Sequence, residues 1–167
     1  PAMSKLLELP HTAGCLVCGR QNPHGLKLSL HVDVEAALVT CDFVPNSDHV
    51  GFEGIIHGGL LATMLDEAMV WAATWRGRRF CVCGELVVRY RQEARVGDKL
   101  TVTAEVETSR PKLIQAVGKV FNSQGDLLAT ASGKYVPVPP DRHQQFVGTL
   151  LGEPTTVQAL GFLRGQG

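Results

Sequence analysis

The hydrophobic pattern changes period twice along the chain. Leu26, Leu28, Leu30 and Val32 alternate with polar residues, and a second apolar run covers Ala37–Val44. Apolar residues at every second position mark half-buried strands. The acidic turn near Asp33–Glu35 separates the two, and Pro45-Asn46-Ser47-Asp48 breaks the second. From Gly51 the period lengthens. A Gly-punctuated loop turns sharply at His57-Gly58-Gly59 and enters an apolar segment of about 17 residues, where Leu61, Met64, Leu65, Ala68, Ala72 and Trp75 recur at helical spacing. Ile55, Ile56, Leu60, Met69 and Trp71 place apolar side chains on other faces, and a helix apolar nearly all round must be buried. Gly77 and the cations Arg76, Arg78 and Arg79 end it, where the helix dipole favours positive charge.

Strand periodicity then returns. Leu86, Val88 and Tyr90 alternate within Phe80–Glu93, as do Leu100, Val102, Ala104 and Val106, and more loosely Leu113–Phe121. Val96-Gly97-Asp98 is a turn, Asn122–Asp126 a hairpin turn, and Leu127–Val136 the last strand. The order ββαββββ predicts an α+β domain, an antiparallel sheet with one long helix on a face. Residues 26–137 make this domain. Residues 1–25 are an N-terminal extension, whose first 14 residues hold one short apolar patch, Leu6-Leu7, that suits a helical turn; Pro1-Ala2 ahead of Met3 reads as a cloning remnant. Residues 138–167 are a C-terminal extension, with a short helix over Arg142–Leu151 and a mobile Gly-rich end after Gly161.

Composition narrows the partners. Sixteen basic residues balance sixteen acidic ones, so no field of one sign favours nucleic acid or an anionic membrane. Five cysteines are an odd number, no signal peptide is read, and the longest apolar run carries charges. These features suit a soluble, thiol-reduced, cytoplasmic protein. Cys15-x-x-Cys18 has the spacing of half a zinc site that His11 or His24 would complete. No second C-x-x-C follows, and two small packed cysteines in a turn is the reading adopted, with no metal and no cofactor.

The chemistry concentrates on the helix. Asp66 and Glu67 sit in its apolar middle, and an unpaired buried charge is costly, so at least one faces a cavity or a subunit seam. At its N-terminus, unpaired N–H groups carry partial positive charge, and Gly58-Gly59 lets a carbonyl approach them closely. The pair reads as an oxyanion site of backbone amides, the bland alternative being a tight entry into a packed helix. His57 either contacts substrate or holds the loop by hydrogen bonds, and His49 is a weaker candidate. Asp66 is the preferred base; Glu67 is the alternative, or an ion-paired helix residue. Trp71 and Trp75 read as core or seam. Cys81 and Cys83 share one face of a strand and read as buried.

The stretch Gly51-x-x-Gly54-Ile-x-His57-Gly58-Gly59, followed after six residues by Asp66, resembles the hotdog-fold acyl-CoA thioesterases of the phenylacetate-pathway type. Upstream, Cys15-x-x-Cys18-Gly-x-x-Asn22-Pro-x-Gly25-Leu resembles an N-terminal element of some bacterial members. The resemblance covers about residues 15–137. It implies a curved antiparallel sheet wrapped around one long helix, and homodimers, often paired into tetramers, with two sites at the seam. It implies hydrolysis of an acyl-CoA thioester, with the Gly58 N–H polarising the carbonyl and the partner subunit's Asp66 activating water or attacking directly. Two positions depart from the pattern: Gly51, where several relatives have Asn, and Cys83, where some have Ser or Thr. Arg76, Arg78, Arg79, Arg89 and Arg91 either meet the coenzyme A phosphates or form a solvated basic patch. Two rivals remain. One is a hotdog hydratase or dehydratase using His57 with Asp66; the other is a non-catalytic acyl-CoA binding protein.

Overall fold

The computed structural model describes residues 5–166. The Pro1-Ala2 reading lies outside them. Among these residues, nine strands and three α-helices follow in order: β1 (Leu6–Glu8), β2 (Leu30–Asp33), β3 (Val39–Phe43), β4 (Val50–Phe52), β5 (Ile55–Ile56), α1 (Gly58–Gly77), β6 (Cys81–Tyr90), β7 (Leu100–Arg110), β8 (Leu113–Phe121), β9 (Leu127–Pro137), α2 (Pro140–Thr149) and α3 (Val157–Leu163). Seven of the strands form one sheet in the order β1-β2-β3-β7-β8-β9-β6, every pair antiparallel. This is the predicted α+β architecture, an antiparallel sheet built around one long helix.

Alternation explains how the sheet holds the helix. Val39 and Cys41 on β3, Leu100, Val102 and Ala104 on β7, and Ile114, Ala116 and Val120 on β8 are all buried, their intervening neighbours less so. They face Leu61, Met64, Leu65, Ala68, Met69 and Ala72 of α1, each no more than 2% exposed. Burying a side chain of Leu or Met size contributes about 1.5–3 kcal/mol, so this interface dominates the fold.

Several expectations need correction. Leu6-Leu7 belongs to an edge strand, not a helical turn; β1 pairs with β2 from Leu6↔Asp33 to Glu8↔His31, and three residues are too few to show a period. Leu26 and Leu28 precede β2, because their N–H groups donate to Leu16 and Val17 carbonyls at 2.8 and 2.9 Å, docking the Cys15–Cys18 loop there. The loop before α1 contains the β4–β5 hairpin. The C-terminal end is helical through Leu163: Ala159, Leu160 and Leu163 are buried, and Phe162 stacks on Trp75 at 3.9 Å. Both extensions thus contribute to one core, with Leu9 and Val17 from one side and Val147 and Leu160 from the other. No helix among the described residues is long and apolar enough to cross a membrane.

Candidate active site

His57 caps α1. Its Nδ1 accepts from the Gly59 N–H at 2.8 Å, and its own N–H donates to the His49 carbonyl at 2.9 Å. His49 is itself tied in, Nδ1 accepting from Asn46 N–H at 3.0 Å. The Gly59 N–H is therefore occupied, whereas no acceptor among the described residues takes the Gly58 N–H. The Gly58 peptide is fixed from its other end: Tyr90, at the end of β6, donates its hydroxyl to the Gly58 carbonyl at 2.8 Å. A Cβ on Gly58 would lie 3.2 Å from the Tyr90 ring, so a side chain there crowds the contact. Gly58, Leu61, Tyr90 and Arg91 line one groove of about 300 Å³.

Two turns further along α1, Asp66 is half-buried and accepts from the Tyr135 hydroxyl at 2.9 Å. Burial, and then the adjacent carboxylate, push the Tyr135 phenol well above its usual range, so it remains a donor. Tyr135 is fully buried on β9, and its ring lies along the strand over Gly133, where a Cβ would come 2.5 Å from the ring. Sequence reasoning gave neither Tyr90 nor Tyr135 a place in the site. The only trace was a tyrosine at an inward position of β9, and an inward tyrosine needs a partner for its hydroxyl. Cys83 also stands beside Asp66; partial burial and then that carboxylate raise its thiol pKa. Its side chain is exposed rather than buried, because β6 is the last strand of the sheet and is bulged between Cys83 and Glu85. Cys81 is buried as expected.

Glu67 points elsewhere. Among the described residues it makes no ion pair, and its Oε1 accepts from Trp71 Nε1 at 3.2 Å. Burial raises its pKa to about 7. It lies beside Cys15 and Cys18, and all three line a cavity of about 250 Å³ that Trp71, Phe80 and Phe146 also line. Cys15 accepts hydrogen bonds from Cys18 and from neighbouring N–H groups, which lower its pKa to about 5. The Cys18 thiol is driven up, by that bond first and by burial second. His11 and His24 are not the completing residues: His11 turns to Glu153 at 3.6 Å, and His24 is exposed. Arg89 is exposed, on the β6 face opposite Tyr90. Trp75 is core, its Nε1 donating to the Val34 carbonyl.

An amide donor at a helix N-terminus and a positioned acid on the same helix are the parts needed to polarise a carbonyl and activate a nucleophile. The thioesterase superfamily model matches residues 53–129, the span that holds both. Human acyl-coenzyme A thioesterase 13 is 30% identical over 112 residues, covering 66% of this chain and 73% of the human protein. The chain belongs to the thioesterase superfamily. A phenylacetic acid degradation-related protein of Ralstonia eutropha superposes on this thioesterase with a TM-score of 0.61 at 25% identity, over 66% of this chain and 85% of that one. A solved thioesterase superfamily protein gives a TM-score of 0.68 at 22% identity over 73% of this chain, which spans 62% of that protein's length. The fold is therefore the hotdog fold that the His57-Gly58-Gly59…Asp66 resemblance implied.

Proposed function

We propose that this thioesterase hydrolyses an acyl-coenzyme A thioester to the free acid and coenzyme A, at sites each shared by two subunits. Gly58 donates its N–H to the thioester carbonyl. The carboxylate of Asp66 from the partner subunit activates water or attacks the carbonyl directly. The observation that carries the reading is the pairing of one uncommitted amide at the start of α1 with an acid held by Tyr135 in its middle.

Helix geometry supports a second subunit. At ~1.5 Å per residue, the eight residues from Gly58 to Asp66 separate them by about 12 Å along the axis. A base must sit within about 3 Å of the water it activates, so one helix cannot serve one carbonyl with both groups. Two helices packed antiparallel about a two-fold axis set each N-terminal turn beside the partner's middle. β6 supports such an assembly: it is one of the two edge strands of the sheet and exposes Val82 and Val87, while Cys83 and Asp66 stand at that edge. Arg91 joins Gly58 in the groove and suits a coenzyme A phosphate; Arg89 would have to meet it from the outer face. The name of the human relative supports the acyl-CoA class.

The test is a panel of acyl-CoA thioesters with detection of the released thiol. Turnover is expected on at least one, with a loss of about 10²-fold or more in Asp66→Asn. Loss of enoyl absorbance without thiol release would instead mean hydration, and saturable binding without turnover a sensor.

A further inference from the structure

The N-terminal loop carries two thiols to the middle of α1. One sulfur each from Cys15 and Cys18 and one carboxylate oxygen of Glu67 lie within 4.8 Å of one another. We propose that Cys15, Cys18 and Glu67 form a binding site for a thiophilic divalent metal ion of the zinc class, with its fourth coordination position turned to the neighbouring cavity. Zinc–sulfur bonds of about 2.3 Å and zinc–oxygen bonds of about 2.1 Å set tetrahedral ligand atoms roughly 3.6–3.8 Å apart, so an ion would draw these three in by about 1 Å at most.

The loop is shaped as a metal turn would be. The N–H groups of Val17 and Cys18 point at Cys15 Sγ, at 3.3 and 3.4 Å, where they favour a thiolate ligand. Gly19 then folds back, its N–H on the Cys15 carbonyl at 3.0 Å. A Cβ there would come within 2.4 Å of the Cys15 nitrogen, so only glycine closes this turn with both sulfurs on one side. Val17 and Cys18 are buried, and the loop is docked through the Leu16 and Val17 carbonyls, so the sulfurs are held in place. The turn needs a third donor, and Glu67 supplies one from a distant part of the chain.

Glu67 also lacks another ionic partner. Its side-chain hydrogen bonds come from Cys18 and Trp71, and no cation among the described residues pairs with it. A half-buried carboxylate beside two sulfurs has no positive charge facing it, and a divalent ion that displaces the Cys18 thiol proton would supply one. Two sulfurs select zinc over magnesium or calcium, which take oxygen ligands. Three protein ligands leave one tetrahedral position, and all three line the cavity of about 250 Å³. The ion would pin the N-terminal extension to α1 at the residue next to Asp66, on a different face. This site is independent of the shared-site reading.

The experiment uses the full chain, reduced, stripped with a chelator, desalted and titrated with Zn²⁺ or Co²⁺. One ion per chain is expected, with a sulfur-to-cobalt charge-transfer band and the intense visible bands of tetrahedral cobalt. Cys15→Ser and Cys18→Ser should abolish the stoichiometric site, Glu67→Gln should weaken it at least tenfold, and Cys83→Ser should leave it unchanged. Should the serine variants misfold, wild-type protein decides: Zn²⁺ should protect Cys15 and Cys18 from alkylation, mapped by mass spectrometry. Binding far below one ion per chain, binding indifferent to the cysteine substitutions in folded protein, or unchanged alkylation would overturn the proposal. A Cys15–Cys18 disulfide that forms readily, in a chain whose reduced form takes no metal, would overturn it too.

Discussion

Tyr135→Phe isolates the link between the sheet and the proposed base. The substitution removes one oxygen and leaves the buried ring where it packs over Gly133. What it deletes is the hydrogen bond to Asp66 Oδ1 at 2.9 Å. A hydrogen bond to a charged group contributes about 1.5–3 kcal/mol. If that bond holds the carboxylate on line with its water, its loss appears at the transition state. Each 1.36 kcal/mol is tenfold in rate, so kcat should fall by about ten- to a hundredfold with KM little changed. Thermal unfolding of the same sample separates this from general damage, since a well-folded variant should retain a cooperative transition within a few degrees of the parent. The sharper readout is a double-mutant cycle with Asp66→Asn. If Tyr135 acts through Asp66, adding Tyr135→Phe to Asp66→Asn should cost almost nothing further in rate. Wild-type kcat in a folded Tyr135→Phe variant, or effects that simply add, would refute the reasoning.

Two further outcomes follow from contacts at the two ends of α1. Gly58→Ala should push the Tyr90 ring from its 3.2 Å contact and lower kcat/KM about tenfold or more, while Tyr90→Phe, which loses only the 2.8 Å bond to the Gly58 carbonyl, should cost less; steady-state kinetics on the best acyl-CoA checks both. Phe162→Ala removes the stack on Trp75 and the ring beneath the Arg78 guanidinium, and should destabilise the fold by about 2–4 kcal/mol in urea unfolding, leaving kcat of the folded fraction unchanged.

The elements legible in the sequence were those long enough to show a period. α1 and the strands β6 to β9 each run nine residues or more, and their apolar positions placed them correctly. β1 and the β4–β5 hairpin are two or three residues long and exist because a neighbour offers them hydrogen bonds, which no local pattern records. α3 was hidden for a related reason: its glycine-containing sequence reads as loop, and Phe162 finds its reason in the distant Trp75 and Arg78. The site divides in the same way. His57, Gly58 and Asp66 lie on one loop-and-helix segment, and their spacing was readable. Tyr135 lies 69 residues from Asp66, and the Cys15–Cys18 turn meets Glu67 only because β2 and the loop dock across the fold. Adjacent acids were ambiguous in sequence because a helix turns roughly 100° per residue. In the structure that turn sends Asp66 to Tyr135 and Glu67 to the cysteines.

Subunit complementation tests the shared site most directly. Asp66→Asn and a bulky Gly58→Val variant, each inactive alone, would be unfolded and refolded together as an equal mixture. Random pairing makes half the dimers mixed, and each mixed dimer has one intact site of two, so about a quarter of wild-type activity should return by two-fold symmetry. Mixed dimers that fold, confirmed by native mass spectrometry, yet release no thiol would contradict the account and place each site within a single chain.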